Sequence, residues 1–169
     1  NSHHTHISSY KYLFTISFKK MINLKTRGIS EGSLSQEEKD LLLGQVHFWR
    51  AWAYYQLVKW HGGVPIVTDV LDPIEGPGTP RSSAEECFQF IFDELDLSAQ
   101  LLEAATGQGG WAESSDWGRV TTASALALKG RLMNLWASPM FNRQNDISRW
   151  EAAYQFISES LPKIQACGH

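Results

Sequence analysis

The sequence predicts an all-α fold: antiparallel helix pairs of tetratricopeptide type, joined by long irregular loops. Three observations carry that expectation. Serine stands three residues before glutamate at the head of apolar stretches, as in Ser35/Glu38, Ser83/Glu86 and Ser148/Glu151. In such a capping box each side chain satisfies a backbone N–H that the first helical turn leaves free. Apolar residues then recur at helical rather than alternating spacing. Glycine and proline clusters separate the periodic stretches.

Composition narrows the possibilities. The chain has 169 residues, 43% hydrophobic and 20% charged, enough for one domain with a core or for a piece of a larger one. No apolar run reaches the roughly 18 residues of a membrane-spanning helix. A net charge of −3 argues against a nucleic-acid binder held by phosphate contacts. Cys87 and Cys167 lie in no metal-ligand spacing. The seven tryptophans are the unusual feature.

Residues 1 to 30 carry Lys11, Lys19, Lys20, Lys25 and Arg27 and no acid. Lys19 and Lys20 interrupt the apolar stretch, and no small-residue cleavage site follows, so it does not read as a signal peptide. Asn1 in place of an initiator methionine reads as a processed or truncated start. His3, His4 and His6 have no acid or cysteine beside them to complete a metal site, so no metal and no cofactor is expected.

The first helix is predicted from about Ser9 to Lys25, on the spacing of Tyr10, Leu13, Ile16 and Ile22. Its cationic end suits the negative pole of a helix dipole. The second opens at Ser35 and runs to His61, where Gly62 and Gly63 stop it. Two stripes run along it: Leu42, Val46, Trp49, Ala53, Leu57 and Trp60, then Leu41, Phe48, Trp52 and Tyr55. Two stripes predict burial on two sides, hence a central helix with Trp52 in the core. Arg50 among these aromatics reads as a buried ion pair or a donor to a backbone carbonyl, ahead of an anchor for a ligand carboxylate.

Residues 64–81 hold four prolines, which exclude a helix and predict an extended connector with Val64–Val67 lying on the helices. The third helix opens at Ser82 or Ser83 and has one apolar stripe: Ala84, Cys87, Phe88, Ile91, Leu95 and Leu102. Cys87 reads as a small core residue, and Asp93, Glu94 and Asp96 as a solvated face. A glycine-rich loop spans 105–120. Thr121 or Thr122 caps the fourth helix, which ends before Pro139; Gly130 inside it predicts close approach of a neighbouring helix. The fifth opens at Ser148, and Pro162 ends or kinks it. The helix spacing is too irregular for a strict repeat of about 34 residues.

Three motifs in order carry a resemblance. Phe48-Trp49-Arg50-Ala51 through Tyr55, Leu57-Val58 and Gly62-Gly63-Val64-Pro65 resembles the signature helix and turn of the SusD/RagB family. Arg81-Ser82-Ser83 with Glu85, Ile91, Asp93 and Leu95 resembles its next helix. Trp117-Gly118-Arg119-Val120-Thr121, with Ala125 to Leu132 and Ala137-Ser138-Pro139-Met140-Phe141-Asn142, resembles a third. The match covers about residues 36 to 155.

The resemblance implies a surface lipoprotein of Bacteroidetes, at the cell outer membrane. Such a protein binds an oligosaccharide or other nutrient without turning it over and hands it to a SusC-like TonB-dependent transporter. Residues 1–169 would then be part of a single SusD-like helical domain, with N- and C-terminal portions absent. The membrane would be reached only through a lipid anchor that this chain lacks, since neither Cys87 nor Cys167 stands where such an anchor would. The alternative is a helical-repeat module that binds another protein.

No nucleophile stands beside a base in the motifs, and a glycosidase needs two carboxylates about 5–10 Å apart across a cleft. Sugar binding needs exposed aromatic faces flanked by polar groups. The loop Trp111-Ala112-Glu113-Ser114-Ser115-Asp116-Trp117 has that chemistry, which makes Trp111 and Trp117 the candidate ligand-binding residues, Trp111 ahead of Trp117.

Overall fold

A computed structural model of the chain describes residues 21–68, 80–106 and 118–167. Among the described residues there are helices and no strand. We number them α1 (residues 21–31), α2 (Gln36–His61), α3 (Ala84–Thr106), α4 (Thr122–Ala137) and α5 (Ile147–Ala166). They pack in series, α2 on α3, α3 on α4 and α4 on α5.

Local signals set most boundaries. Ser35 Oγ accepts from the Glu38 N–H while Glu38 accepts from the Ser35 N–H at 2.9 Å, a reciprocal box at the head of α2. Ser83 and Glu86 repeat it at α3, with bonds of 2.7 and 3.1 Å. Thr121 and Ser124 form a box at α4. Each cap is worth on the order of 1 kcal/mol. At the other end of α2, Gly62 takes φ 69°, a left-handed conformation that glycine adopts without a Cβ clash.

Cross-helix contacts fix the antiparallel order. Between α2 and α3, Arg50 meets Glu94 and the Gly44 carbonyl accepts from Ser98 Oγ at 2.6 Å, so one helix ascends as the other descends. A Cβ on Gly44 would lie 2.7 Å from Leu102 Cγ, which explains the glycine at this crossing. Between α3 and α4, Thr122 Oγ1 donates to the Ala99 carbonyl and Lys129 Nζ donates to Asp96. Between α4 and α5, Gly130 faces Ile157, the close approach that its place in the helix predicts.

Tyr54, Val58, Phe88, Ile91, Leu95 and Leu132 are wholly buried in one core. Burial of such side chains stabilises by about 1.5–3 kcal/mol each. Phe88 stacks on Trp136 at 4.7 Å and meets Phe141 edge-on at 4.9 Å, closing the core toward the α4–α5 turn.

Several expectations are corrected. The first helix continues beyond Lys25 to residue 31. The buried residues of α2 are Gly44, His47, Arg50, Ala51, Ala53, Tyr54, Tyr55, Leu57 and Val58, which include Ala53 and Leu57 of the first predicted stripe and Tyr55 of the second. Trp49 is 41% and Trp60 64% exposed, and Trp52 is only half-buried. On α2 the tyrosines Tyr54 and Tyr55 lie inside with Ala51, Ala53, Leu57 and Val58, while the tryptophans Trp49 and Trp60 face outward. α2 is nonetheless buried over a wide arc, with residues of both predicted stripes inside, and α3 packs against both α2 and α4. α5 begins at Ile147, because Asp146 rather than Ser148 is its cap, and it runs through Pro162 to Ala166. A proline so near the helix end removes one backbone hydrogen bond without stopping the helix.

Candidate functional site

Trp111 and Trp117, the two ligand-binding candidates, lie outside the described residues, as do His3, His4 and His6. Two polar constellations are brought together by the described helices, and both join α2 to α3.

The first is a buried charge cluster. Successive turns of α2 present His47 and Arg50 to the same side, and Glu94 faces them from α3. Arg50 Nε donates to Glu94 Oε2 at 2.7 Å and Nη2 donates to Oε1 at 2.8 Å, a bidentate pair. His47 Nδ1 lies 2.7 Å from Glu94 Oε2 and 3.0 Å from Arg50 Nη2. One nitrogen cannot donate to the carboxylate and accept from the guanidinium at once. With Glu94 ionised, Nδ1 carries the proton and donates to it.

Burial pushes the Glu94 carboxyl up, but the hydrogen bonds from His47 and Arg50 and the charge of Arg50 outweigh it. The net effect holds the group below its ordinary 4.5. A carboxyl held ionised in this way is a poor proton donor. An Arg fork engaged on Glu94 is likewise a poor anchor for a ligand. Arg50 is thus the buried ion pair that its surroundings predict. Glu94 is the correction: expected on a solvated face with Asp93 and Asp96, it is 7% exposed and sits at the cluster's centre. Its signal was the complementary charge of Arg50, a residue 44 positions away.

The second constellation is the signature turn after α2. Arg81 Nε donates to the Gly63 carbonyl and its Nη2 to the His61 carbonyl, so one guanidinium caps the last turn of α2. A Cβ on Gly63 would sit 2.0 Å from the Ser82 carbonyl oxygen, so only glycine lets the two chain segments pass. Val64 then runs into a polar bracket. Its N–H donates to Cys87 Sγ and its carbonyl accepts from the Cys87 thiol, both at 3.4 Å, and from the Ser82 N–H at 3.3 Å. Cys87 is therefore a core residue, as expected, that also satisfies buried backbone.

Three residues further on from Val64, the Tyr54 hydroxyl accepts from the Val67 N–H at 2.7 Å and donates to its carbonyl at 3.0 Å. Asn23 Nδ2 of α1 donates to the same carbonyl at 3.0 Å. Burial pushes the Tyr54 hydroxyl up to about 12, against the lowering effect of the Val67 bond and Arg50. Residues 64–67 therefore lie pinned against the helices, as the sequence predicts. The Gly-Gly-Val-Pro and Arg-Ser-Ser motifs, apart in sequence, are the two halves of one clamp.

Elsewhere the described residues carry aromatic side chains outward: Trp49 and Trp60 on α2, Trp150 and Tyr154 on α5. No group of three or more His, Cys, Asp or Glu that could hold a metal ion occurs among the described residues. No described helix is long and apolar enough to cross a membrane.

Comparison with known proteins gives consistent results. A family model for SusD-like proteins, described as starch-binding and associating with the outer membrane, matches residues 6–108. A SusD-like protein of Bacteroides ovatus is 26% identical over 103 residues, 61% of this chain and 17% of its own length. A solved SusD-like protein from Bacteroides fragilis superposes with a TM-score of 0.66 at 28% identity, over 86% of this chain and 27% of the other. Surface glycan-binding protein A from Bacteroides uniformis shares the fold with a TM-score of 0.68 at 20% identity, over 90% of this chain and 31% of its own. The chain thus spans less than a third of the length of the relatives it matches.

Proposed function

The chain belongs to the SusD-like family, and from that premise we propose that it is helical scaffold of a non-catalytic glycan- or nutrient-binding subunit at the outer-membrane surface. The family match over residues 6–108 carries this reading. In it, residues 1–169 are part of one SusD-like domain. A lipid anchor holds the protein to the membrane, and the bound oligosaccharide passes to a SusC-like transporter.

The geometry supports a scaffold role for the motifs. Arg50, Glu94, Tyr54, Cys87 and Arg81 are engaged with one another or with backbone, which leaves recognition to other parts of the protein. The reading places ligand contact at Trp111, and secondarily at Trp117, where an indole face can stack on a pyranose and the neighbouring Glu113, Ser114 and Asp116 can meet its hydroxyls.

The test is calorimetric titration with a panel of α- and β-linked glucan oligosaccharides, followed by chromatography of the incubated sugar. Stacking on one or two rings gives weak affinity, about micromolar or poorer. Trp111→Ala should weaken binding with the circular-dichroism spectrum unchanged, and no shorter sugar should appear. Turnover that co-purifies with the protein would overturn the non-catalytic reading. Unchanged affinity in Trp111→Ala would overturn the placement of the site.

A further inference from the structure

We draw no further inference here: the strongest candidate, the row of exposed apolar side chains Ile147, Trp150, Tyr154 and Leu161 along α5, carries none because nothing in the structure shows what covers it.

Discussion

The α2–α3 and α4–α5 pairs are held by different physics. The first adds buried polar groups to the apolar core that it shares: Arg50 and His47 on Glu94, Ser98 on the Gly44 carbonyl, Cys87 on Val64. The second is fastened mainly by shape and stacking, with one partly buried hydrogen bond from Arg149 to the Phe141 carbonyl at 3.1 Å beside its turn. Gly130 admits Ile157, and the Arg149 guanidinium lies 3.8 Å from the Trp136 ring centroid. Polar fastening specifies register sharply, because a slip strands charge away from water. Steric fastening tolerates adjustment, because side chains can shift by fractions of an ångström at modest cost. The pair that carries the family signature is the one whose register is fixed electrostatically.

Breaking the charge cluster should have the largest effect. Arg50→Ala leaves Glu94 buried without its main partner and should cost about 3–5 kcal/mol. On the other pair, Arg149→Ala removes a stacked, partly exposed side chain and its bond to the Phe141 carbonyl, and should cost about 1–2 kcal/mol. Urea denaturation of both variants measures the contrast. Similar losses would refute the distinction.

Two glycines sharpen it next. Gly63→Ala drives a Cβ into the Ser82 backbone and should destabilise by about 1–3 kcal/mol or more, since backbone must move. Gly130→Ala puts a Cβ 3.0 Å from Ile157 Cγ1, a side chain that can turn aside. The helix-propensity gain of about 1 kcal/mol offsets that crowding, so the melting temperature should hardly change. A large loss at Gly130 would show that the steric pair is as rigid as the polar one.

Tyr54→Phe removes both bonds to Val67 and should cost about 1–3 kcal/mol, read from the same denaturation curves. A neutral result would mean that water replaces the hydroxyl.

The smallest effects come from pH. The folded Glu94 value lies below the ordinary 4.5, so its stabilisation is complete above that value and is lost as pH falls through the folded one. The folded Tyr54 value is raised from 10.0 to about 12, so its contribution is present below pH 10 and lost as pH rises toward 12. Hydrogen exchange resolved by segment should show acid loosening α2–α3 before α4–α5. The reverse order would break the comparison.

Much of this architecture was legible where the signal was local. Ser35, Glu38 and Gly62 mark both ends of α2, and Ser83 with Glu86 marks the start of α3. Glu94 was not legible, since Asp93, Glu94 and Asp96 look alike until α2 is placed beside them. Nor was the exposure of Trp49 and Trp60, because hydrophobicity measures how much a side chain gains by burial, not whether a neighbour is there to bury it. Pro162 misled in part, for a different reason. Of the stop and the kink that it predicts, the stop is excluded: proline loses only its own bond to the carbonyl four residues back, and the residues after it still complete the helix to Ala166. The candidate site at Trp111 and Trp117 rests on loop chemistry and on the resemblance, since loop conformation is set by contacts that spacing does not encode.

The Cys87 thiol has a practical consequence. It is wholly buried, while Cys167 at the end of α5 is half-buried. A thiol-specific reagent can reach Cys87 only during an opening of the α2–α3 pair, whereas Cys167 needs no such event. The ratio of the two labelling rates under native conditions is therefore an internal clock for the breathing of the signature turn, and it reports the opening free energy of that turn separately from global unfolding.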